Sequence, residues 1–145
     1  MSKATDDLLK DHKMIRKILT EWKTGNPRFS HVHNTLTRVV IGHAWFEDQV
    51  FFPVMEAEPV FAKRFLDELY QEHKDIDALL KLVSKTPTDK QPLLDYYATQ
   101  LKVVLDTHFA KEEDALFPIV EKIFDAEGLE NLSAEMRRRQ HEKTE

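Results

Sequence analysis

The chain has no cysteine and only three glycines among 145 residues. Without cysteine there are no disulfides, zinc–thiolate sites or iron–sulfur clusters. Scarce glycine, with abundant Leu, Lys, Glu and Asp, favours helix throughout. No apolar run approaches the length needed to span a bilayer, so no membrane partner is expected. Met1 to Asp7 is polar and acidic and lacks the apolar stretch of a signal peptide, which leads to the expectation of a cytoplasmic protein. Excess positive charge is missing too. The net charge is −5 with both signs interspersed, which argues against nucleic acid as a partner. The one basic run, Arg137-Arg138-Arg139, reads as the solvated face of a C-terminal helix.

What is present is a repeat. A lone His12 is followed by His43-Ala44-Trp45-Phe46-Glu47, and a lone His73 by His108-Phe109-Ala110-Lys111-Glu112. Asp11-His12 lies over Glu72-His73, and His43 to Pro53 lies over His108 to Pro118 without a gap. The lone-to-paired spacing is 31 residues in one half and 35 in the other, a difference of about one helical turn. Two helices per half predict an all-α fold, an up-down-up-down four-helix bundle over about residues 5–125. A short C-terminal helix and tail follow at about 126–145, and the whole 1–145 reads as a single domain.

The apolar stripes set the register. The first helix, about Thr5 to Lys23, carries Leu8, Ile15, Leu19 and Trp22, and stops at Gly25-Asn26-Pro27. The second, capped by Ser30 and running to about Met55, carries Val32, Leu36, Val39, Phe46 and Val50. The third takes Pro59 into its first turn and carries Leu66, Leu69, Ile76, Leu80 and Val83. The fourth follows a Thr88–Gln91 capping box, runs to about Phe124 and carries Leu101, Val104, Leu105, Ala115 and Ile119. His12, His43, His73 and His108 each fall inside one of these stripes. Pro53 and Pro118 are expected to kink or end the second and fourth helices symmetrically.

Residues i and i+4 project from one helix face, so His43 with Glu47, and His108 with Glu112, each reach one point. Burying Glu47 and Glu112 unpaired costs several kcal/mol, which cations on the bundle axis would offset. Four imidazoles and two carboxylates suit non-haem iron, and the same set would hold manganese. Asp77, four residues after His73, is either a further ligand or a surface acid beside Lys74 and Lys81. Glu113 could stand in for Glu112 if its helix were rotated. His31 and His33 are expected in solvent, and His141 without a metal. Trp22 and Trp45 read as packing residues.

The combination of Asp11-His12, His43-x-x-x-Glu47, Glu72-His73, His108-x-x-x-Glu112 and the pairs Phe52-Pro53 and Phe117-Pro118 resembles the hemerythrin-like, HHE cation-binding family. The resemblance covers Leu8 to Phe124. It implies a four-helix bundle holding two iron ions, bridged by Glu47 and Glu112. His12 and His43 would serve one iron, His73 and His108 the other. The family's oxygen carriers have a fifth histidine where this chain has Asp77, which leaves an aspartate or water there. The expected function is a non-haem di-iron protein that binds oxygen or nitric oxide for binding, storage or sensing. The alternatives are a di-iron peroxidase or oxidase, an iron-donating repair protein, or a metal-free interaction bundle. A haem bundle ranks last because it leaves Glu47 and Glu112 buried without purpose. Ferritin-like oxidases need Glu-x-x-His pairs, and no histidine here has a Glu three residues before it.

Overall fold

The computed structural model describes residues 2–144. Helix α1 spans Ala4–Glu21, α2 Phe29–Phe46, α3 Phe52–Glu56, α4 Lys63–Lys85, α5 Gln91–Lys111, α6 Phe117–Ile123 and α7 Ala126–Thr144. Two π-helical turns, π1 (Glu47–Phe51) and π2 (Glu112–Leu116), join α2 to α3 and α5 to α6. The second and fourth bundle helices are therefore continuous but interrupted. The bundle comprises α1, α2–π1–α3, α4 and α5–π2–α6; α7 packs against α1 and π1. At 19 residues α7 is as long as the bundle's first helix. Among the described residues no helix is long and apolar enough to cross a membrane.

Helices α1 and α4 bury the stripes their periodicity predicts: Leu8, His12, Ile15 and Leu19 on one, Leu66, Leu69, His73, Ile76, Leu80 and Val83 on the other. Each fully buried Leu, Ile or Val contributes about 1.5–3 kcal/mol relative to exposure. In α2 the register moves by one residue, with Val40 buried and Val39 half-buried.

The prolines do not end their helices. Proline has no amide hydrogen to give the carbonyl four residues back. The chain widens by one residue instead: the Phe52 N–H bonds the Glu47 carbonyl, and the Phe117 N–H bonds the Glu112 carbonyl. Those are five-residue steps, the π pattern, which clusters at functional sites. One inserted residue turns the remainder of the helix by about 100°. The buried face accordingly moves from the expected Ala115 and Ile119 to Leu116 and Val120.

Smaller expectations also give way. Phe29 opens α2 after Arg28, so Ser30 is not its cap. Pro59 lies in the turn before α4, whose N-cap is Ala62. Lys90, not Thr88, precedes α5, and no side chain caps it.

His33 is buried, not solvated. Its Nδ1 accepts from the Trp22 indole N–H at 3.0 Å. Its Nε2 lies 3.1 Å from the Leu80 carbonyl and 3.0 Å from Ser84 Oγ. The ring thus ties the end of α1 to α2 and α4. Both nitrogens are engaged by the neutral ring, and burial lowers its pKa against the opposing pull of the Leu80 carbonyl. A proton binds more readily to the unfolded chain, so this contribution is complete above the ordinary imidazole value near 6.5 and fades as pH falls below it. His33→Gln is expected to cost about 1–3 kcal/mol at pH 8, with a smaller gap to the wild type at pH 5. Thermal melts of both proteins across that range check it; a gap that widens on acidification contradicts it.

Candidate metal centre

The core has two apolar layers with a polar layer between them. Leu8, Val50, Phe51, Phe52, Leu69, Leu116 and Phe117 belong to one layer, together with Leu129, Leu132 and Met136 of α7. Ile15, Val40, Ile76, Leu105 and Phe109 belong to the other. In each bundle helix the candidate ligands fall where one layer gives way to the next. All six candidates (His12, His43, Glu47, His73, His108, Glu112) are buried, none more than 7% exposed.

The structure draws them into two groups: His12, His43 and Glu112, and Glu47, His73 and His108. Within each group the ligand atoms lie within 4.8 Å of one another. The carboxylates link the groups. Glu112 Oε1 is 3.1 Å from His12 Nε2, 3.9 Å from His43 Nε2 and 3.4 Å from His108 Nε2. Glu47 Oε1 is 2.9 Å from His73 Nε2, 3.5 Å from His108 Nε2 and 3.4 Å from His43 Nε2.

Each imidazole is oriented from behind. His43 Nδ1 meets Asp11 at 2.9 Å, His108 Nδ1 meets Glu72 at 2.9 Å, His73 Nδ1 meets Asp48 at 2.7 Å and His12 Nδ1 meets Glu113 at 2.6 Å. An Nδ1–H donated to a carboxylate leaves Nε2 as the free lone pair and makes it more basic. The acid before each lone histidine supports the paired histidine of its own half. The acid after each Glu supports the lone histidine of the other half. The sequence motif contains Asp11 and Glu72 without their role, and Glu113 is expected there only as a substitute for Glu112. The signal of the four supports was an acid at the matching position of both halves.

This arrangement asks for positive charge. The Nε2 atoms of His73 and His108 lie 3.0 Å apart, so with Nδ1–H turned outward a proton or a cation has to lie between them. Of the four buried side-chain atoms without a hydrogen-bond partner among the described residues, three lie here: His43 Nε2, Glu47 Oε2 and Glu112 Oε2. An unsatisfied buried polar group costs about 1–3 kcal/mol, and more when charged. Burial opposes protonation of His43, yet Glu47, Asp11 and Glu112 outweigh it and hold its pKa well above the ordinary value. Burial likewise opposes protonation of His108, while Glu112, Glu47 and Glu72 push it up to about 10. Burial would raise Glu47, but His43 and His108 hold it well below the carboxylate range. Protons and cations therefore compete for the same atoms, and cation affinity rises with pH. The donor set fits two cations of the iron or manganese kind.

The remaining candidates fall outside. Asp77 pairs with Lys81 at 2.8 Å, is 41% exposed and joins neither group. Glu113 supports His12 and pairs with Arg16 instead of replacing Glu112. His31 and His141 are exposed. Aromatic rings close the layer: Phe109 stacks on His12 at 4.0 Å and Phe52 on His73 at 5.4 Å.

The family model of the hemerythrin HHE cation binding domain matches the chain twice, over residues 3–97 and 64–144. Two overlapping matches are what an internally repeated motif produces. A crystal structure of a hemerythrin HHE cation binding domain-containing protein from Mycobacterium kansasii superposes with a TM-score of 0.80 at 21% identity, covering 98% of this chain and 87% of that one. At that identity the likeness is one of fold. None of the curated proteins matches the chain.

Proposed function

Because the chain belongs to the hemerythrin HHE cation-binding family, we propose that its six buried ligands hold two non-haem iron ions. His12 and His43 would serve one, His73 and His108 the other, with Glu47 and Glu112 shared between them. So loaded, the site would take a small diatomic molecule, oxygen or nitric oxide, for binding, storage or sensing. The observation that carries this reading is the convergence of imidazole nitrogens on two fully buried carboxylates whose Oε2 atoms have no partner. A metal-free bundle would bear their cost with nothing in return.

Iron bound here supplies reducing electrons and a Lewis-acidic face to a ligand. The chain's own residues do the rest. Asp11, Asp48, Glu72 and Glu113 hold the imidazoles in one tautomer. Phe51, Phe52, Phe109 and Phe117 exclude water and favour a small, weakly polar guest over a charged one. Asp77 is engaged by Lys81 and joins neither ligand group, so His73, His108 and Glu47 would hold their ion without it.

The test is an optical spectrum of the anaerobic, Fe(II)-loaded protein on exposure to oxygen or to nitric oxide. New charge-transfer bands that reverse on removal of the gas are expected. A spectrum unchanged by both gases overturns the diatomic-ligand reading, and irreversible oxidation with turnover favours the enzymatic alternative.

A further inference from the structure

The four carboxylates behind the imidazoles are not held alike. Glu113 is gripped by Arg16, with 2.8 Å from Nη1 to one oxygen and 3.2 Å from Nη2 to the other. Glu72 is gripped by Lys111 at 2.5 Å. Asp11 and Asp48 have no Lys or Arg within 4.0 Å among the described residues, and each is about a third exposed. The two cations also divide between the metal groups. Arg16 acts through Glu113 on His12, in the group with His43 and Glu112. Lys111 acts through Glu72 on His108, in the group with Glu47 and His73. Arg16 has a second hold: its guanidinium lies 5.3 Å over the Phe109 ring, the ring that stacks on His12.

A carboxylate that is free to swing into solvent leaves its imidazole without an acceptor and free to rotate. A carboxylate fixed by a cation does not. We propose that Arg16 and Lys111 are positioning residues, each securing one of the two cation sites through the carboxylate behind one imidazole. The inference rests on the two-cation reading of the site. It adds that the sites are secured independently, from opposite chain segments, by side chains that never touch a metal. The pairs are partly exposed, Arg16–Glu113 at 44% and 24% and Lys111–Glu72 at 32% and 14%, and solvent-screened pairs contribute about 1 kcal/mol or less to folding. Their role should therefore appear in metal retention and not in melting temperature.

The experiment tracks ferrous ion leaving the anaerobically loaded full chain into excess chelator. Supporting residues behind a metal ligand are worth about 10–100-fold in affinity, and a group one bond further out belongs at the lower end. Arg16→Gln is expected to speed release of one ion about tenfold and leave the other at the wild-type rate. Lys111→Gln is expected to do the same to the other ion, and the double variant to both. Arg16→Lys restores the charge but not the two-bond fork, so its rate should lie between wild type and Arg16→Gln. Glu113→Gln should speed the same ion as Arg16→Gln, and the two changes together should add nothing further. Wild-type release rates in both glutamine variants, or equal acceleration of both ions by each, overturn the inference. A wild-type chain that takes up no ferrous ion overturns the underlying two-cation reading instead.

Discussion

Replacing Glu47 or Glu112 with glutamine is expected to leave the protein helical and strip it of tightly bound metal. The amide matches the carboxylate in size, so the packing around two fully buried side chains is kept. It removes the negative charge and cannot bridge two cations. Residues that merely support a metal ligand are worth about 10–100-fold in affinity, so loss of a bridging ligand should exceed that, and the double variant should bind nothing measurable. Stranding a buried charge costs about 3–5 kcal/mol. The metal-free variants should lose less, because His43 and His108 can shed the protons that Glu47 and Glu112 hold on them. Chelator competition beside circular dichroism checks both halves of the claim. Glu47→Gln with wild-type affinity would remove Glu47 from the site.

Phe109→Ala is expected to give the largest loss of stability. Phe109 is 1% exposed. It stacks on His12, meets His43 edge-on with centroids 6.1 Å apart and lies 6.2 Å from His108. Truncating a buried Phe to Ala costs about 3–5 kcal/mol. For a domain of this size that is about 10–15 °C in melting temperature. The cavity would also adjoin the polar layer and admit water to it. Val103→Ala, on the 56% exposed outer face of the same helix, is the control and should change little. A loss below about 1 kcal/mol for Phe109→Ala would show that the layer collapses around the gap.

The fold was legible where the helix is regular. The stripes of α1 and α4 hold a 3.6-residue period from end to end, so counting places every buried position. In α5 the count holds for Leu101, Leu105 and His108 and is one residue out beyond Glu112, while in α2 it already slips at Val39, where Val40 is the buried residue. Periodicity assumes a constant turn, and the π turns spend an extra residue at Glu47 and Glu112. The prolines marked the place, but a missing amide alone does not distinguish a kink from a π turn.

The candidate site was legible because it is written twice. Duplication picked His12, His43, His73 and His108 out of seven histidines, and the structure brings them together with Glu47 and Glu112. His33 was placed in solvent because a first-turn histidine beside polar neighbours carries no sign of a tryptophan donor eleven residues earlier. Asp11, Asp48, Glu72 and Glu113 were passed over as supports because an acid on a helix usually faces solvent. These four do so in part, while one oxygen of each reaches inward to an Nδ1.

The most direct test of the account is metal stoichiometry by elemental analysis of protein expressed with ample iron and purified without chelator. The account predicts two ions per folded chain, falling to none in the Glu47→Gln/Glu112→Gln double variant. A folded wild-type chain with no stoichiometric metal, under conditions where iron was never withheld, would contradict it.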